Sequence, residues 1–139
     1  MPILARTFIK TSFIYLGIAL VLGILLAGQT VWNLPVIIAS LFPQYIHLLT
    51  VGWLTLLIFG VAYWMFPKYS LEHIHGSEQL SWAAYILLNL GLVIRLVSEP
   101  LSQQPPVVVW SWLLVLSALL QWLGGMAFII NAWKRVKVK

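Results

Sequence analysis

No cysteine occurs anywhere in the sequence. That absence excludes a disulfide framework, thiolate zinc, iron-sulfur clusters and covalent c-type heme attachment together. It leaves His, Met, Tyr and carboxylate as the side chains able to hold a metal. Charge is nearly as scarce: 8% of the 139 residues are charged, and only Glu72, Glu78 and Glu99 are acidic. A soluble domain carries about 25% charged residues. The sequence also shows no nucleophile with a base and an orienting acid, no phosphate-cradling glycine loop and no pair of carboxylates inside an apolar run, so the usual hydrolase and kinase chemistries find no foothold.

What the chain does have is apolar surface, 62% of its residues. Four stretches of about 18 to 25 apolar residues account for most of the length, and each is long enough to cross the hydrocarbon core of a bilayer. The expected fold is an all-α membrane protein, a single domain over 1–139 with four transmembrane helices in an antiparallel bundle. The helices are expected at about 8–28, 44–66, 79–97 and 107–132. Pro43, Pro67, Pro100 and the pair Pro105 and Pro106 fall where those helices should start or stop. The first apolar run follows Arg6 and Lys10, but it is too long for the core of a signal peptide, so it is read as a helix. Ala19, Gly23 and Ala27 form a stripe of small residues on it, suited to close helix packing.

The formal charge of +5 and the tail KRVKVK invite a nucleic-acid reading, which the placement of the charges argues against. Arg6 and Lys10 precede the first helix, Lys68 follows the second, and Lys134, Arg135, Lys137 and Lys139 follow the fourth. Seven of the eight basic residues therefore share one side. This is the positive-inside bias, and it places both termini in the cytoplasm and the protein in the cytoplasmic (inner) membrane. The expected partner of the basic tail is the anionic surface of the lipid bilayer, with no nucleic acid involved.

An ionisable side chain inside an apolar helix is costly in lipid and needs a partner. His47, one turn inside the second helix, is such a side chain. At 100 degrees per residue, Val51, Thr55 and Ala62 lie on the adjoining face, a low wall of small side chains. A flat macrocycle with its iron on the imidazole would suit that combination. An interfacial histidine bonded to a headgroup or a neighbouring helix would fit the same residues.

The stretch YIHLLTVGWLTLLIFGVAYWMFPKYS resembles the second transmembrane helix of heme-copper oxidase subunit I, particularly its nitric-oxide-reductase and C-type branches and the related NnrS-like proteins. His47, Gly52, Gly60, Trp64 and Pro67 follow the family's order, and SWAAYILLNLGLVIRL resembles the helix after it. The similarity covers roughly the first two thirds of the chain and is strongest from Pro43 to Tyr69. It implies that His47 is an axial ligand to heme b, and the helical projection would set Val51 and Thr55 beside the macrocycle. A complete oxidase core needs further histidines for its second heme and its copper. Only His73 and His75 remain, and about twenty helical residues place them roughly 30 Å from His47. The chain by itself is therefore expected not to be a terminal oxidase.

A sixth iron ligand could come from a second copy of the chain, making a homo-oligomer around a shared heme. If instead each chain held its own heme, an open position would suit O2, NO or CO. Arg95, one turn before Glu99, should lie at the depth of His47. It could pair with a heme propionate, or with Glu99 at i, i+4. Asn89 and Gln121 are expected to form hydrogen bonds between helices. In EHIHGSE, residues Glu72, His73, His75 and Glu78 offer imidazole and carboxylate to a transition metal, although two histidines in a loop are more often simply solvated. The functional expectation is a heme b-binding protein for electron transfer or diatomic-gas handling, with a respiratory-chain redox partner. The alternative is a cofactor-free membrane module that stabilises a respiratory complex.

Overall fold

The computed structural model describes residues 1–66, 77–102, 108–133 and 135–136. Among these the chain is helical and contains no strand. Helix α1 is Ile3–Ala27, α2 is Val36–Met65, α3 is Glu78–Ser102 and α4 is Val108–Trp133. All four are long and apolar enough to cross a membrane, as expected for a multi-pass membrane protein. The exterior agrees with that reading. Ile14, Val21, Trp112, Trp122 and Ile130 are all more than half exposed, which would be unfavourable in water and is neutral against acyl chains.

The helices begin and end at somewhat different places from those expected. Helix α1 starts at Ile3, so Arg6 and Lys10 ride on its first turns as exposed side chains. Helix α2 opens with a tight 3-10 segment, Val36–Leu41, and only then settles into α geometry at Phe42. Pro43 occupies the first turn of that α segment, where its missing N–H leaves no bond unmade. Pro100 lies inside α3 instead of ending it. Its missing N–H withdraws one i→i−4 bond, that to the Leu96 carbonyl in the last turns of the helix. Pro67, Pro105 and Pro106 lie outside the described residues, as do Glu72, His73 and His75.

Lipid removes the hydrophobic drive for helices to associate, so close packing and polar contacts must hold the bundle. Glycine supplies the close packing. A Cβ on Gly60 of α2 would stand 2.8 Å from the Cβ of Phe8 and 3.2 Å from the Ala5 carbonyl oxygen on α1. On α3, a Cβ on Gly91 would stand 2.9 Å from the Ser117 carbonyl oxygen of α4. Gly124 of α4 meets Leu88 and the Ala84 carbonyl in the same way. Two pairs, α1 with α2 and α3 with α4, thus bring their backbones into contact. Along each pair the contacts run in opposite chain order, Gly52 against Tyr15 and Gly60 against Phe8 in the first. The stripe on α1 packs within the chain: Ala19 is fully buried and Gly23 lies under the ring of Tyr45.

Aromatic and polar contacts join the two pairs. The rings of Phe59 and Phe128 stack at 3.7 Å. Tyr15 donates to Asn89 Oδ1 at 2.9 Å, and Thr11 shares a hydrogen bond with the Tyr85 hydroxyl at 2.7 Å. Asn89 therefore bonds between helices as expected, while Gln121 bonds Ser117 of its own helix at 3.4 Å. Close approach at Gly91 explains the difference, because the Gln121 Cγ lies directly over that glycine and its amide is left beside its own helix. At the far end of α4, Asn131 bonds the Ser77 backbone and the Ser81 hydroxyl.

Candidate functional site

His47 is the last residue of the α segment Phe42–His47, and from Leu48 to Thr55 the helix widens into i→i+5 turns. Such π segments are rare, and where they occur they often mark functional positions. The wide turns also change which residues share a face. Each turn takes in about one more residue than an α turn, so positions beyond Leu48 drift from a 100-degree projection. Thr55 shows the altered register directly, its hydroxyl donating to the carbonyl of Thr50, five residues back, at 2.8 Å. Val51 packs against the buried core of the bundle.

Nδ1 of His47 lies 2.7 Å from the carbonyl oxygen of Pro43, one turn earlier. It also faces Oε2 of Glu99 on α3 at 3.7 Å. Both neighbours are acceptors, so in the neutral ring the proton belongs on Nδ1 and the lone pair on Nε2. Ligating histidines have this arrangement, in which a bond from one nitrogen to a carbonyl or carboxylate orients the other toward a metal.

Glu99 is shared. Its Oε1 lies 3.7 Å from an Nη of Arg95, one turn back on α3, while its Oε2 faces His47. The three side chains are 14% exposed at Glu99, 23% at His47 and 24% at Arg95, largely withdrawn from the surface. Oε2 of Glu99 and Nε of Arg95 are buried with no hydrogen-bond partner among the described residues. Buried charges in this setting are held by pairing, and an unmet donor or acceptor among them is expensive. Gln44, three residues before His47 on α2, is 3% exposed. With its nitrogen turned toward them, the amide donates to the carbonyls of Leu41 at 3.0 Å and Ser40 at 3.2 Å, beside Pro100 of α3.

Of the residues singled out from sequence, the fold brings His47 and Arg95 into one cluster through Glu99. Val51 packs against the buried core, and the Thr55 hydroxyl bonds along its own helix. Among the described residues no three His, Asp or Glu side chains converge as a metal cage. The chain offers one imidazole here, a donor set suited to a metal that brings its remaining ligands with it, as a porphyrin does.

Two neighbours of His47 escaped the sequence reading. The carbonyl of Pro43 gave no signal beyond its place four residues before His47. Glu99 was visible only as the i, i+4 partner of Arg95, because its contact with His47 crosses between helices. No protein-family model matches the chain, and no curated protein or solved structure shows significant similarity to it.

Proposed function

We propose that this protein is a heme b-binding integral membrane protein in which His47 ligates the iron through Nε2. The observation that carries the reading is the 2.7 Å contact from His47 Nδ1 to the Pro43 carbonyl, which fixes the proton on one nitrogen and frees the other. Arg95 supports it, since its buried Nε has no hydrogen-bond partner among the described residues and Glu99 faces one Nη of the guanidinium. A propionate carboxylate would supply the missing acceptor. Bound iron would contribute one-electron chemistry or a diatomic-gas site; the chain's own part is to orient one imidazole, hold a counter-charge beside it and keep water away.

The bundle is proposed to be antiparallel with both termini cytoplasmic, supported by the opposite order of helix contacts and by the basic residues gathered at one end. His47 then lies toward the outer face, and a second copy of the chain would complete a six-coordinate iron in a homo-oligomer passing electrons to a respiratory partner. The chain of contacts from Arg95 through Glu99 to His47 favours one competing reading. Those contacts alone could tie α2 to α3 in a cofactor-free module that stabilises a respiratory complex.

A redox-difference spectrum of the protein purified in mild detergent separates the two. The expected result is a Soret band and b-type visible bands that vanish in His47→Ala while helical content persists. A colourless protein purified from heme-replete cells would leave only the module, and a band indifferent to His47→Ala would move the ligand elsewhere. Carbon monoxide then distinguishes coordination, because a six-coordinate iron resists the gas and a five-coordinate iron binds it.

A further inference from the structure

The heme reading uses the imidazole of His47 and the guanidinium of Arg95 but gives no task to the carboxylate between them. Glu99 comes from a different helix than His47, and three features set it apart from an ordinary interfacial glutamate. Its Oε2 is buried with no hydrogen-bond partner among the described residues. That same oxygen faces the nitrogen of His47 that a metal would not use, at 3.7 Å. Its other oxygen faces Arg95, a cation one turn away on α3, at 3.7 Å. A carboxylate placed behind the distal nitrogen of a ligating imidazole raises the basicity of that ligand and adds negative charge near the metal.

The geometry points to Glu99 as a positioning residue that sets the electron donation of His47, a fixed negative charge delivered from α3 to the back of a ligand on α2. This rests on the heme reading above. It makes a prediction that heme binding alone does not, which is that the iron's preference for its ferric form depends on the sign of charge at positions 95 and 99. Negative charge near the iron favours ferric over ferrous, so Glu99 holds the midpoint potential down and Arg95 partly offsets it.

Spectroelectrochemical titration of the full-length protein in lipid nanodiscs tests this. Glu99→Gln is expected to raise the midpoint potential by about tenfold in the ferrous-to-ferric ratio, roughly 59 mV for one electron. Arg95→Gln is expected to lower it, and Glu99→Asp, which keeps the charge, should return most of the wild-type value. A merely structural contact would weaken heme retention in both Gln variants without moving their potentials in opposite directions. If Glu99→Gln fails to retain heme, Arg95→Gln still decides the matter. A heme-loaded protein whose potential is the same in Glu99→Gln as in wild type, or, where that variant loses heme, is unmoved in Arg95→Gln, overturns the role of Glu99 alone. A wild type that never binds heme overturns the functional reading and this inference with it.

Discussion

Arg135 donates to the carbonyl oxygen of Phe66 at 2.8 Å and to that of Tyr63 at 3.0 Å, so a residue from beyond the end of α4 caps the end of α2. Its side chain is 1% exposed although it belongs to a tail of basic residues, and its guanidinium lies 5.6 Å from the Tyr63 ring centre. Burial pushes its pKa below the ordinary arginine value, with the adjacent Tyr63 opposing the shift. Carbonyls at a helix C-terminus carry partial negative charge and lack partners of their own, which is why a cation is favoured there.

Replacing Arg135 should therefore destabilise the bundle, whereas replacing an exposed basic residue should not. Arg135→Met is expected to cost about 2 kcal/mol, the scale of losing charge-assisted hydrogen bonds. Lys10→Met, on the exposed face of α1, should cost close to nothing. Thermal or SDS-induced unfolding followed by circular dichroism checks the pair, and equal losses would mean that Arg135 acts only through the net charge of the chain.

Two glycines make opposite predictions for the same change. At Gly60 an added methyl runs into Phe8 and the Ala5 carbonyl, and Gly60→Ala is expected to destabilise by about 1–3 kcal/mol. At Gly17 a Cβ would meet nothing within 4 Å, so Gly17→Ala should stabilise by about 0.5–1 kcal/mol through helix propensity. Unfolding midpoints of the two variants, measured side by side, give the sign directly.

Tyr15 and Asn89 join α1 to α3 within the apolar region by a 2.9 Å hydrogen bond. Measured bonds of this kind in membrane bundles average about 0.6 kcal/mol. Tyr15→Phe should lose about that much, and a double-mutant cycle with Asn89→Leu should recover the coupling. A coupling of zero would show that the two residues contribute independently.

Arg95 should matter more to a bound carboxylate than to the fold. Arg95→Ala is expected to retain the helices while heme dissociates faster, by about tenfold on the scale of one charge-assisted bond. Transfer of heme to apomyoglobin measures the rate. An unchanged rate would remove Arg95 from the propionate contact and leave it as the counter-ion of Glu99 alone.

Several of these residues were legible before any coordinates. Four apolar runs with few charges admit no other common architecture than membrane helices, because an unsatisfied backbone in lipid must bond within its own segment. His47 and Arg95 stood out because an ionisable group in an apolar helix is too costly to be incidental. Asn89 was legible as an interhelical donor or acceptor because a polar amide in an apolar helix seeks a hydrogen bond on a neighbour. The wider turns from Leu48 to Thr55 were not, since a 100-degree projection assumes α geometry throughout.

Composition and run length determined that this is a multi-helix membrane protein, and the isolation of one histidine put an imidazole near one end of its second long apolar helix. Which groups surround that imidazole was decided by the tertiary structure alone. Glu99 reaches His47, and Arg135 reaches the end of α2, only because separate helices lie side by side. Periodicity reports which residues share a face of one helix, but contacts between helices depend on how closely glycines such as Gly60 and Gly91 let the backbones approach.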